Sequence, residues 1–189
     1  MKGTLITTVG EVVAFEECDH FRGEWAKRYV KNLPGPFYST SDNLMSLLSS
    51  TRASNFILFD QKCEFFWRQP LSKLDISDCL LAMTYDEASS YQIDGNQHWT
   101  VEAVKDWWQF KSQFIEWAKL EQAKPSKKEP GWSVVDKRWK TVSCQDNRQS
   151  MTKYLDFMNN GAELYLRKYM FLLLNNKVAG INDTLPELS

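Results

Sequence analysis

The sequence predicts an α+β domain in which an antiparallel sheet packs against several helices. Three stretches carry that prediction. Asn55–Phe59 and Cys63–Trp67 are short apolar runs, and the residues between them are few enough for a hairpin. A long amphipathic stretch follows Thr100, and Ala162–Asn175 is apolar nearly all round, as a central core helix is. The chain has 189 residues, 43% hydrophobic and 14% aromatic, which is enough for one domain with a real core. A single globular domain is expected over residues 1–180, with 181–189 as a tail.

Val12–Phe15 reads as a strand, with Leu5–Val9 as its hairpin partner through Gly10. Asp19 is placed to cap a helix from about His20 to Leu33, in which Phe21, Trp25, Tyr29 and Leu33 recur every four positions. Leu33-Pro34-Gly35-Pro36 stops it, because proline cannot continue the ladder and restricts the residue before it. Residues 37–52 form a Ser/Thr/Asn-rich loop with room for a turn of helix at Asn43–Ser49. The two strands after Asn55 are apolar on both faces, so the sheet that they form with the N-terminal strand should be largely covered.

Ser77–Met83 reads as a short helix, and Ser89–His98 as a polar loop turning at Asp94-Gly95-Asn96. One helix should run from Thr100, its N-cap, to about Ala123. Its apolar residues, among them Val104, Trp107, Phe114 and Ala118, fill about 200°, twice the usual stripe, so it should be covered on two sides. Lys124–Gly131 is a solvated loop, with an edge strand at Val134-Val135 or Thr141–Ser143. Helices at Gln149–Asn159 and Ala162–Asn175 close the chain, broken by Asn159-Asn160-Gly161.

The four cysteines, Cys18, Cys63, Cys79 and Cys144, have no CxxC spacing and read as free, buried thiols rather than a zinc or redox motif. There is no long apolar leader before a small-residue cleavage site, and the run Tyr169–Leu174 is too short to span a bilayer, so a soluble cytoplasmic protein without membrane contact is expected. No GxSxG, P-loop, HExxH or GxGxxG is present, and eight glycines leave little for a phosphate cradle. Glu16-Glu17-Cys18-Asp19-His20 is the densest set of metal-ligand types, but neighbours on a strand end point apart, so no metal and no cofactor are expected. Of the two histidines, His98 has Asp94 nearby and His20 lies two residues from Cys18, so a histidine-dependent enzyme site would have to use one of them. Both are expected to cap or pack.

Charge is unevenly spread. From Leu74 to Val104 there is no Lys or Arg, while Asp75, Asp78, Asp86, Glu87, Asp94 and Glu102 give −6. Lys119–Lys140 carries seven basic against three acidic residues. A surface of one sign steers a partner of the other, and an overall charge of −1 argues against nucleic acid. Eight tryptophans are more than a core of this size needs, so one or two should be exposed at an interface.

Asp19-His20-Phe21-Arg22-Gly23-Glu24-Trp25, Leu33-Pro34-Gly35-Pro36-Phe37-Tyr38 and Asp94-Gly95-Asn96-Gln97-His98-Trp99-Thr100 resemble the small, aromatic-rich immunity proteins encoded beside bacterial toxins. The resemblance implies a stoichiometric inhibitor of a cognate toxin, with no chemistry of its own, and carries over no functional residue. The expected contacts to a basic protein partner are Asp86, Glu87, Asp94, Trp99, Trp107 and Trp117. The alternatives are an enzyme with a site near His98, or an assembly subunit using the wide apolar arc after Thr100 as an oligomer face.

Overall fold

A computed structural model describes residues 2–16, 23–41, 55–60, 62–84, 86, 89–124, 131–135, 138–142 and 147–188. The fold is α+β, with five α-helices and short antiparallel ribbons among the described residues. β1 (Lys2–Ile6) pairs with β2 (Val12–Glu16), β3 (Tyr38–Ser39) with β6 (Tyr91–Gln92), β4 (Ile57–Phe59) with β5 (Glu64–Phe66), and β7 (Gly131–Val135) with β8 (Arg138–Val142). The helices are α1 (Lys73–Met83), α2 (Val101–Trp108), α3 (Lys111–Ala123), α4 (Asn147–Asn160) and α5 (Ala162–Asn175). The expected single sheet is thus replaced by separate two-stranded ribbons among the described residues.

The β4–β5 hairpin stands between two cores. Its register pairs Ile57 with Phe66 and Leu58 with Phe65. Side chains alternate along a strand, so Ile57 and Phe66 enter a core with Leu5, Phe37, Ile76, Cys79 and Met83. Leu58 and Phe65 face the larger core of Trp99, Trp107, Tyr154, Leu166 and Met170. The outer edge of β5 is already occupied. The Leu33 amide donates to the Phe66 carbonyl at 2.7 Å, the Phe66 amide to Asn32 Oδ1 at 3.0 Å, and Ser39 Oγ to the Glu64 carbonyl at 2.5 Å. These three groups are therefore not open to pairing with another strand.

The helix expected over His20–Leu33 is not formed in its described part. Trp25–Lys27 is one 3-10 turn, and Arg28 then bridges to Thr40. Tyr29 donates its amide to the Ser39 carbonyl at 2.8 Å, and Ser41 to the Lys27 carbonyl at 2.7 Å. Pairing alongside residues 39–41 takes the groups that a helix ladder needs. Buried Asn32 completes the substitution: its Nδ2 donates to the carbonyls of Tyr29 and Ser39, both at 2.8 Å. Residues 17–22 and the proposed turn at Asn43–Ser49 lie outside the described residues.

The helix expected from Thr100 to Ala123 is two helices. Thr100 caps α2 as predicted, accepting the Ala103 amide at 3.1 Å. The chain breaks at Gln109–Phe110, so α2 packs on α5 and α3 packs on α4. Two ordinary stripes, Val104 and Trp107 on α2 and Phe114 and Ala118 on α3, add up to the broad arc. Helix α1 starts earlier than Ser77 because Ser72 and Asp75 form a reciprocal capping box. The segment expected as a tail returns to α5, where Arg167 donates to the carbonyls of Leu185 and Pro186 and pairs with Glu187 at 2.7 Å. Leu188 joins the larger core.

Gly35 and Gly95 are close-approach positions. The Gly95 amide donates to the Pro36 carbonyl at 3.0 Å, and a Cβ on Gly95 would stand 2.2 Å from the Gly35 carbonyl oxygen. Buried Gln69 closes the same loop, donating to the carbonyls of Leu33 and Phe37 and accepting the Phe37 amide. Gly95→Ala should therefore lower the unfolding free energy by about 3 kcal/mol, the upper range for overpacking. Gly180→Ala, whose Cβ would meet only Asp183 Oδ2 at 3.4 Å, should leave it nearly unchanged. Urea denaturation followed by circular dichroism reads both.

Candidate functional site

Three buried carboxylates organise the polar interior, and each accepts from a tyrosine hydroxyl: Asp60 from Tyr29, Glu64 from Tyr91 and Asp94 from Tyr38. The third lies beside a histidine, as a site near His98 requires. Tyr38 donates to Asp94 Oδ1 at 2.8 Å, the Gly23 amide donates to Oδ2 at 3.1 Å, and His98 Nε2 lies 3.2 Å from the same oxygen. Gly23 holds φ +98°, a conformation open to glycine, and so presents its amide there. The His98 ring stacks on Trp25 with centroids 5.0 Å apart, and the Arg28 guanidinium covers Trp25 and Trp99.

Burial, followed by the hydrogen bond to Asp94, pushes the Tyr38 hydroxyl pKa far up, and burial lowers that of Arg28. Tyr38 therefore stays a neutral donor. Both Asp94 oxygens are engaged by donors from residues 23 and 38, so the carboxylate ties three chain segments together. It orients an imidazole that is one-third exposed, the minimum geometry for a general base.

The second node is charged. Lys31 Nζ lies 2.5 Å from Asp60 Oδ2, and the amides of Lys62 and Cys63 donate to Oδ1, each at 3.0 Å. The Lys31 ammonium also sits 3.7 Å from the centroid of the Trp117 ring. Burial alone would raise the Asp60 pKa. The hydrogen bonds from Lys31, Tyr29 and the Cys63 amide outweigh it and hold the carboxyl below the ordinary value.

No protein-family model, curated protein or solved structure matches the chain. The geometry alone places the expected partner contacts. Asp94, Trp99 and Trp107 are buried, and the Trp107 Nε1 donates to the Val30 carbonyl at 2.9 Å, so these three hold the interior rather than a surface. Trp117 is half-buried under Lys31, and Asp86 accepts the Ser90 amide at 2.5 Å. Glu87 lies outside the described residues. Of the six described tryptophan side chains, Trp67, Trp99 and Trp107 are buried and Trp25, Trp108 and Trp117 half-buried, so none is exposed.

The acidic stretch is therefore not one surface: Asp94 is interior, while Asp75 and Asp78 remain on α1. The same helix carries Leu74 at 69% exposure and Leu81 at 53%, seven residues apart on one face, which sequence reasoning missed. Its inward residues are Ile76, Cys79, Ala82 and Met83. A second apolar stripe on so short a helix was the available signal. Cys63 and Cys79 are buried, and among the described residues no group of His, Cys, Asp and Glu could hold a metal ion. Residues 17–20 of the acidic, metal-ligand-rich run lie outside them. No helix among the described residues is long and apolar enough to cross a membrane.

Asp60 ties stability to pH. Its folded carboxyl ionises at lower pH than in the unfolded chain, so its contribution is complete above about pH 4 and is lost as the pH falls through the folded value. Asp60→Asn should cost about 3 kcal/mol at neutral pH, because it leaves the Lys31 charge without its partner. Urea unfolding at descending pH should show the wild type losing stability in acid and the variant with a flatter profile.

Proposed function

We propose that this protein is an interaction module, an immunity protein that binds and neutralises a basic toxin through the outer face of α1. The observation that carries the reading is the exposed pair Leu74 and Leu81, with Asp75 and Asp78 on the same short helix. Isolated exposed leucines are ordinary. Two spaced to share a helix face, on a helix that carries Asp75 and Asp78 against Lys73 and opens a stretch with no Lys or Arg from Leu74 to Val104, have the composition of an interface: an apolar anchor and a mainly acidic rim. Burying each leucine against a partner supplies about 2 kcal/mol. The acids direct the encounter towards a basic surface. The arrangement supports occlusion of a toxin's working surface and requires no reaction by the inhibitor.

A second reading rests on His98, partly exposed and oriented by Asp94. It makes the protein an enzyme that uses this imidazole as a base. The full engagement of Asp94 with Tyr38 and Gly23 favours the structural account of the same contacts. The apolar arc after Thr100, which suggested an assembly face, is accounted for by the packing of α2 on α5 and α3 on α4.

The test is titration calorimetry against the product of the adjacent gene at rising salt. Binding should weaken with salt, and the double change Leu74→Ser, Leu81→Ser should weaken it by about a hundredfold or more. Leu164→Ser, on the exposed face of α5, should not. Absence of binding, or an unaffected double variant, overturns the reading, and a phenotype lost with His98→Ala alone favours the enzyme.

A further inference from the structure

We propose that the cleft between the Trp67–Arg68 end of the β4–β5 hairpin and the last turns of α4 binds a small aromatic carboxylate. The cleft encloses about 380 Å³, within the range of ligand pockets. One face of α4 lines it, with Lys153, Asp156, Phe157 and Asn160 at helical spacing. Buried Trp67 and half-buried Phe157 line it, their rings edge to face at 5.7 Å. Gly161 keeps the Phe157 ring where it is, because a Cβ there would stand 3.0 Å from Phe157 Cδ2.

The charges decide the ligand. Arg68 is half-buried, with its guanidinium 5.0 Å from the centroid of Phe56 and 5.3 Å from that of Trp67. Among the described residues, neither Arg68 nor Lys153 has a hydrogen-bond or ion-pair partner. A guanidinium fork held on aromatic faces without an acceptor matches a carboxylate at two points, and Lys153 adds a second positive charge on the same cleft. The indole N–H of Trp67 is buried and does not open on the cleft. Asp156 opposes the two cations, with Oδ1 accepting from Asn160 Nδ2 at 2.7 Å. Two cations against one carboxylate leave a net charge of +1 in the lining, which suits a singly charged anion better than a phosphate ester. The ring of such a ligand would stack on the walls, which is the apolar contribution to affinity. This site shares no residue with the outer face of α1 and does not depend on the reading of that face.

The test is calorimetric titration of the full-length protein with benzoate, benzyl alcohol and phenyl phosphate. Benzoate should bind saturably, and Arg68→Gln and Lys153→Gln should each weaken it by at least about tenfold. Both changes lie on side chains without hydrogen-bond partners, so folding should be preserved. In a nitrogen-15 spectrum the Trp67 indole resonance, identified by its loss in Trp67→Phe, should shift with benzoate. The proposal is overturned by no saturation up to about 10 mM, by benzyl alcohol binding as tightly, by phenyl phosphate binding more tightly, or by Gln variants that bind like the wild type.

Discussion

The fold depends on satisfying the backbone of an irregular segment that runs through the interior. Residues 32–40 are all buried, yet only Tyr38–Ser39 belongs to a strand. Each buried amide and carbonyl there needs a partner, since leaving one unmade costs on the order of 1–3 kcal/mol. Two side-chain amides meet that demand. Asn32 serves Tyr29, Ser39 and Phe66, and Gln69 serves Leu33 and Phe37. A side-chain amide has donors and an acceptor on one group, so it can do for a loop what a neighbouring strand does for a sheet. The same bonds close the edge of β5 and keep the ribbons separate. Two tyrosines then fasten this region to α5, Tyr165 through the Pro34 carbonyl and Tyr169 through Asn96.

Elements whose signals are local were legible in the sequence. The Thr100 cap, the hairpin after Asn55, the Asn159–Gly161 break and the two closing helices needed only neighbouring residues. The stretch after Gly23 was not legible, because its every-fourth aromatic pattern is also what a paired segment with inward Trp25, Tyr29 and Leu33 produces. What decides between them is the pairing of Arg28 with Thr40, and no local window contains both. The division of α2 from α3 was hidden for a related reason. Periodicity does not distinguish one helix covered twice from two helices covered once. At the candidate contacts, sequence could name the acids but not say which turn inward. Asp94 is buried because Tyr38, 56 positions away, and Gly23, 71 positions away, donate to it.

The three acid–tyrosine pairs connect the aromatic content to the charge pattern. A phenol satisfies a buried carboxylate without adding a second buried charge, and its ring contributes apolar packing. Asp60 also takes a cation, Lys31, and that ammonium is sheltered by Trp117. Asp60, Glu64 and Asp94 against Lys31 place a formal −2 inside, more than the −1 of the whole chain. Net charge is then a poor guide to what the exterior presents to a partner. The cations left on the surface include Arg68 and Lys153, which lie far apart in sequence and meet only in the folded chain.

At physiological salt the field of a local cluster of like charges is screened within about 8 Å, so the acids of α1 steer a partner only at close approach. Selection of a partner must come from short-range groups. The outer face of α1 and the cleft beside α4 differ there in a way that composition conceals. The first offers leucines with carboxylates, and the second offers aromatic walls with cations. The two suit ligands of opposite charge, so one ligand could not occupy both by the same chemistry. On α1, the Ser72–Asp75 capping box fixes the helix start and the inward Ile76, Cys79 and Met83 fix its rotation. The two leucines are thus held outward by the core itself, because turning them inward would expose Ile76 and Met83 in exchange.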